Sequence, residues 1–233
     1  MKKIAAEELK MLIESRDKTK QLVLQEYEMH DIDMTGWDMS NLDVSLSSFK
    51  GSTLDGVNFE NSNLENALFD GCSMRGANFK NSSMKRACFR GCDMSHANIE
   101  GADLFFAVLE LANLEGIQSN DETKWFRLYC PEEGAFLGYK KCIGDRLVQL
   151  LIPADAKRTS ATYRTCRCNK AKVLTIKSFD YKENFTEAWS MVDENFVYRV
   201  GEWVEVKDFN EDRWFDSTTG IHFWLTREEA KAY

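Results

Sequence analysis

Large apolar side chains recur at every fifth position through the first half of the chain. The register runs Met34, Met39, Val44, Phe49, Leu54, Phe59, Leu64, Phe69, Met74, Phe79, Met84, Phe89, Met94, Ile99, Leu104, Leu109 and Leu114, and Leu24 and Met29 fit it upstream. A helix repeats its apolar face about every 3.6 residues and a half-buried strand every second residue, so neither period fits. A fixed period kept over many units marks a repeat architecture. Two residues before most centres the side chain is small, as at Ser47, Ser52, Ser62, Ala67, Cys72, Ala77, Ser82, Ala87, Cys92 and Ala97. From Phe49 to Phe89 a period of ten lies over the period of five, because Phe alternates with Leu or Met.

The segments "GANFK", "HANIE", "GADLF" and "LANLE" resemble pentapeptide repeats, whose consensus is A-(D/N)-L-x-x, and the resemblance covers about residues 32–116. It implies a right-handed β-helix of square section with twenty residues per coil, the central and small side chains pointing in. The residues test that coil independently. Positions twenty apart would stack at the spacing of a β-ladder, roughly 4.8 Å. Phe49, Phe69 and Phe89 then make one interior column, and Phe59 and Phe79 make another on the opposite wall. The exposed positions read Lys50, Asp70, Arg90, Glu110 on one wall and Glu60, Lys80, Glu100 on a second, with Asp55 over Arg75 and Glu65 over Lys85 on the others. Charge sign alternates up each ladder, as cross-strand neighbours require. Gly and Asn recur two residues after the centres, at 36, 56 and 76, at 51, 71 and 91, and at 41, 61 and 81, where corners need a left-handed backbone. About four coils fit, a rod of roughly 19 Å.

The expected organisation is a cap and entry strand at 1–31, a pentapeptide-repeat solenoid at 32–118 and a β-rich C-terminal domain at 119–233. The fold class is mainly β, a quadrilateral β-helix followed by an α+β domain. "IAAEELKMLIESR" has helical spacing, with Ala5, Leu9, Leu12 and Ile13 toward one side, and caps the first coil. "QLVLQEY" reads as the entry strand. Ile32, Trp37 and Leu42 fill slots that are small elsewhere, which predicts a widened first coil packed on the cap. At "QSND" (118–121) the period stops. Beyond it "KWFRLYC", "RLVQLLIP", "AKVLTI", "FVYRV" and "EWVEV" read as strands, and "TREEAKAY" as a short helix with Thr226 as N-cap and Glu229 closing a capping box. "CPEEGAFLGYKKC", "LLIPADAKR" and "GIHFWLTREEA" resemble a module of unknown function that follows pentapeptide repeats in some bacterial and phage proteins. That resemblance implies a domain arrangement and no activity.

Charge and chemistry narrow the function. The net charge is −8, with 12 basic against 19 acidic residues up to residue 118, which speaks against a generic nucleic-acid binder. No apolar run has the length of a membrane span, and the N-terminus lacks a signal-peptide core, so the expected compartment is the cytoplasm. Seven cysteines, an odd number, fit reduced thiols. Cys130, Cys142, Cys166, Cys168 and His222 are the residues that a nucleophile or a metal would draw on. Cys166 and Cys168 lack the two-residue gap of a zinc knuckle, and His222 sits in an apolar run, so these residues read as core, with no metal, cofactor or catalytic residue expected. The chain reads as a non-catalytic scaffold binding a protein partner. The alternatives are a DNA mimic binding a type II DNA topoisomerase, which some pentapeptide-repeat proteins are, and an enzyme in the C-terminal domain. The mimic needs a long, continuously negative wall, and the ladders alternate instead.

Two surfaces are candidates. Outward slots turn apolar at Phe105, Phe106, Val108 and Leu111, a patch expected to be covered by the C-terminal domain or by a second copy in a homodimer. The stretch Lys157–Lys172 carries six basic residues and no acid, and Arg158, Arg164 and Arg167 are the expected contacts to an anionic partner, although a strand would split them between two faces.

Overall fold

The computed structural model describes residues 1–233, and the chain divides into two compact units, Met1–Arg127 and Leu128–Tyr233. In the first unit, parallel bridges join residues twenty apart. One series runs Glu28, Ser48, Leu68, Cys88, Val108; a second runs from Asp33 to Asn113, a third from Asp38 to Gln118 and a fourth from Asp43 to Asp103. The strands β1 (Lys2–Lys3), β2 (Leu22–Val23), β3 (Tyr27–Glu28) and β4 (Leu42–Asp43) continue this parallel pairing at the N-terminal end, β1 on β3 and β2 on β4. The stack is five layers deep in the series that starts at Glu28, one more than the sequence count, because the layer begins upstream of Ile32.

The far end also runs past the point where the period stops. Asp103 bridges to Lys124, so the last layer absorbs one extra residue. Thr123 Oγ1 donates to the Ile99 carbonyl at 3.0 Å, the role that Ser62 plays for Met39 at 2.8 Å. The segment read as the strand "KWFRLYC" is therefore not a strand. Its first residue closes the stack, and Trp125 has a left-handed backbone.

The interior follows the five-residue period. Phe69 stacks on Phe49 at 4.7 Å and on Phe89 at 5.0 Å between ring centroids, and Phe59 stacks on Phe79 at 5.5 Å. The two columns meet edge to face, at 6.2, 6.1 and 5.9 Å, a favoured aromatic geometry. The small interior residues also satisfy backbone groups. Ser47, Ser52 and Ser62 accept from the amides of Tyr27, Ile32 and Leu42 one layer back, which explains why large side chains are tolerated in that first layer. Cys72 and Cys92 donate to the Phe49 and Phe69 carbonyls and are unpaired with each other. Every fifth residue from Glu26 to Gly116 has a positive φ, so each corner is left-handed.

The cap helix α1 (Ala6–Glu14) buries Leu9 and Ile13, while Leu12 points outward and Ala5 is the N-cap, so the buried stripe is narrower than the spacing suggested. Arg16 fastens its end. That side chain is 4% exposed, lies 3.3 Å from Asp38 and donates to the Ile13 carbonyl at 2.6 Å.

The alternating charges pair across layers: Arg75 with Asp55 at 2.5 Å, Lys85 with Glu65 at 3.2 Å, Arg90 with Glu110 at 2.8 Å and Lys80 with Glu100 at 3.7 Å. Burial raises the Asp55 carboxyl, but hydrogen bonds from Arg75 and Ser73 outweigh it and hold it below the usual range. The Ser83 hydroxyl, with Lys85, does the same for Glu65. Folded values below the unfolded ones mean that this stabilisation is present above about pH 4 and is lost as pH falls through the lower folded values. Urea unfolding repeated from pH 5 to pH 2 (roughly the carboxylate range) should show the first unit losing stability, with a shallower loss in Asp55→Asn. An equal slope in that variant would contradict the pairing.

In the second unit β5 (Phe136–Cys142), β6 (Arg146–Ile152), β9 (Lys170–Ser178) and β12 (Trp203–Glu205) form an antiparallel sheet in the order β12-β9-β6-β5. β7 (Arg158–Ser160), β8 (Cys166–Cys168) and β13 (Ile221–Phe223) form a second sheet in the order β13-β8-β7, and β10 (Glu187–Trp189) pairs with β11 (Val197–Arg199). The core between them holds Val148, Leu150, Ile152, Val173, Ile221 and Phe223 with Cys130, Cys142, Cys166 and Cys168. Gly138 is required here, since a Cβ would lie 2.6 Å from the Phe223 ring. The chain ends in α2 (Arg227–Ala232), with the capping box of Thr226 and Glu229 formed.

Candidate interaction surfaces

The apolar patch lies at the last regular layer of the first unit. Phe105 is half-buried, edge-on to Phe106 at 4.7 Å and against Trp125 at 4.9 Å. Val108 is half-buried beside it in sequence. Phe106 and Leu111 stay exposed, at 42% and 67%. Both occupy corners, with φ of 62° and 59°. The position of Leu111 is glycine in each of the three layers below, at Gly51, Gly71 and Gly91. A leucine in a left-handed corner is strained relative to glycine, and its exposure gives no burial in return. Leu46, in the column of Phe106, is a third such corner, 48% exposed.

The basic stretch does not form one anion-facing patch, which corrects the sequence expectation. Arg167 is 2% exposed, and its guanidinium donates to the carbonyls of Asn210, Asp212, Phe215 and Thr219 at 2.8–3.0 Å while lying over the Phe209 ring. It holds the 209–220 loop together. Arg158 donates to the carbonyls of Pro131, Gly134, Pro153, Ala154 and Ala156 and lies over Phe136. Both guanidiniums are occupied by backbone. Arg164 is exposed, 3.6 Å from Glu229. Lys157 pairs with Glu211 and Lys170 with Asp155, so acids outside the segment neutralise one that has none of its own.

The candidate chemistry is equally absorbed. Burial pushes the Cys142 and Cys168 thiols up to about 12. Cys130 and Cys166 share a hydrogen bond that lowers the first and raises the second. The His222 ring meets the Asp216 carbonyl at 3.2 Å, and burial lowers its pKa. No group of three or more His, Cys, Asp or Glu side chains is placed to hold a metal ion. A cleft of about 390 Å³ in the first unit is lined by Trp37, Lys10, Arg16, Lys18 and Asp38. Its cations are already paired, Arg16 and Lys18 with Asp38 and Lys10 with Glu14.

Comparison with known proteins follows the same division. Models of the pentapeptide repeat region and of eight-copy pentapeptide repeats match residues 28–99 and 89–117, and a family of unknown function (DUF5758) matches 126–230. A pentapeptide repeat protein from the Arabidopsis thaliana thylakoid lumen is 20% identical over 45% of this chain and 72% of its own, with a TM-score of 0.39. One from Nostoc PCC 7120 is 19% identical over 51% of this chain and 98% of its own, with a TM-score of 0.35. The plasmid-mediated fluoroquinolone resistance protein QnrB1, in a trypsin-treated form, is 14% identical over 44% and 90%, with a TM-score of 0.26. No curated protein matches the chain.

Proposed function

We propose, on the premise that residues 28–117 are pentapeptide repeats and residues 126–230 a domain of the DUF5758 family, that the chain is a non-catalytic scaffold whose repeat unit docks a protein partner at its last layer. The observation that carries this reading is the placement of Phe106 and Leu111, exposed apolar side chains in left-handed corners. Local stability would favour Gly at position 111, so the leucine there is a cost in stability that binding would explain. In this reading the stack is a right-handed β-helix of square section, supported by the four series of bridges offset by five residues. The seven unpaired thiols support a reducing, cytoplasmic compartment. A DNA mimic is less well supported, because Arg75, Lys85 and Arg90 interrupt the negative faces and pair with Asp55, Glu65 and Glu110.

Leu111→Gly is the discriminating variant. It should raise the stability of the first unit by about 1 kcal/mol, since it relieves a left-handed leucine and removes no buried contact. Capture from a host lysate by the full chain should lose a defined protein in Phe106→Asn/Leu111→Gly while the fold is retained. A second copy of the chain as that protein would show as a dimer in sedimentation. Identical captured proteins at identical yield with both chains would remove the patch from the binding site.

A further inference from the structure

The outer face of the larger sheet in the second unit carries a small groove of about 110 Å³. Its floor is one cross-strand row. Tyr139 on β5 is in register with Gln149 on β6, and Gln149 with Thr175 on β9. The row is hydrogen-bonded, Thr175 Oγ1 donating to Gln149 at 3.2 Å and the Gln149 amide donating to the Tyr139 hydroxyl at 3.3 Å. The walls are Lys177 on β9, Tyr181 in the following turn and Arg227 at the start of α2.

Three features set these walls apart. First, neither cation has a carboxylate partner. Arg227 lies over the Tyr181 ring at 4.7 Å and over Tyr139 at 5.4 Å, and Lys177 lies over Tyr181 at 5.8 Å, so aromatic faces hold both charges without neutralising them. Glu228 is the acid that bears on Tyr181 electrostatically, and it forms no ion pair with either cation. Second, the Tyr181 hydroxyl is buried with no hydrogen-bond partner, a desolvation cost of about 1–3 kcal/mol. Third, Tyr181 has a φ of 63°, a left-handed conformation that Gly or Asn would adopt with less strain. Sites where several local rules fail together are where function is expected.

We propose that this groove binds the phosphoryl head of a phosphate monoester, with Lys177 and Arg227 supplying the charge and the Tyr181 hydroxyl, turned out of its buried position by the ligand, a hydrogen bond. A phosphoryl group accepts from several donors at once, which suits an ammonium, a guanidinium and a phenol lining one groove. The volume is below the roughly 300 Å³ of pockets that enclose whole ligands, so the groove takes the head group and leaves the rest of the ligand outside. Burial first, and Tyr139 and Glu228 besides, push the Tyr181 phenol up against the opposing pull of Arg227, so it keeps its proton at neutral pH and donates.

The probe is inorganic phosphate added to the ¹⁵N-labelled full chain at constant ionic strength, with acetate as a parallel arm. Saturable amide shifts should concentrate at Thr175, Lys177, Tyr181 and Arg227, and Lys177→Gln/Arg227→Gln should weaken binding by about tenfold or more, the loss of one or two charge-assisted bonds. Tyr181→Phe gives a separate signature. Without phosphate it should melt at or above the temperature of the native chain, because an unpartnered hydroxyl is gone, while its stabilisation by phosphate should fall. Acetate binding as tight as phosphate would overturn the phosphoryl assignment. Scattered shifts, or shifts unchanged in Tyr181→Phe and the double variant, would mean an adventitious ion only.

Discussion

Replacing Phe69 with Ala should destabilise the first unit by about 3–5 kcal/mol, near the upper end for a single core truncation. Phe69 is fully buried and sits in the middle of its column, with rings stacked above and below and Phe59 edge-on across the interior. Three aromatic neighbours lose their contacts at once. The layers are tied to one another by backbone bridges at fixed twenty-residue spacing, so they have little freedom to close the cavity. Phe69→Leu keeps most of the volume and should cost well under half as much. Urea unfolding of the full chain, followed with a probe in the first unit, measures both values. A loss below about 1 kcal/mol for Phe69→Ala would contradict the stacked interior.

The second large effect is expected at Arg167. Arg167→Met should cost the second unit about 3–5 kcal/mol, because several charge-assisted hydrogen bonds of about 1.5–3 kcal/mol each are lost and only part of that is returned by no longer desolvating a guanidinium. Four carbonyls of the 209–220 loop would lose their donor, and methionine offers none. Arg167→Lys should rescue little, because a lysine is a point charge and cannot fork to four acceptors. Arg164→Met, which removes an exposed pair with Glu229, should cost about 1 kcal/mol or less. Hydrogen exchange should rise across residues 209–220 in Arg167→Met alone. Equal stability of the Arg164 and Arg167 variants would show that the buried guanidinium is not what holds that loop.

These two positions mark where the sequence is legible and where it is not. The column of Phe49, Phe69 and Phe89 could be read directly, because every contact that defines it recurs at one fixed separation along the chain. The salt ladders from Asp55 to Glu110 were legible for the same reason. The five-residue pattern hides one layer, because the first layer begins at Glu28 with large residues in the small slots, whose amides are satisfied by Ser47, Ser52 and Ser62 one layer on. The end of the stack has no periodic trace, because Lys124 continues it through an insertion that breaks the period.

In the second unit the contacts have no common separation. Arg167 finds its acceptors 43–52 residues away, and Arg158 finds some of its own 24–27 residues back, so a basic run that looks like a surface patch is consumed by backbone. The groove of Tyr139, Gln149, Thr175, Lys177, Tyr181 and Arg227 is assembled by strand register and a following helix, neither of which leaves a periodic trace in the chain. Leu111 did carry a signal, since it ends a column of three glycines, and that signal is visible only once the twenty-residue spacing is known.

The claim that the last layer of the repeat docks a protein is tested most directly by site-specific photo-crosslinking in the native host. A photoreactive amino acid at Leu111, compared with one at the exposed polar position Lys50 on an earlier layer, reports contacts within a few ångströms of each side chain. The account predicts one dominant adduct of defined mass from position 111, absent from position 50. No adduct at 111, or the same diffuse pattern from both positions, would contradict it.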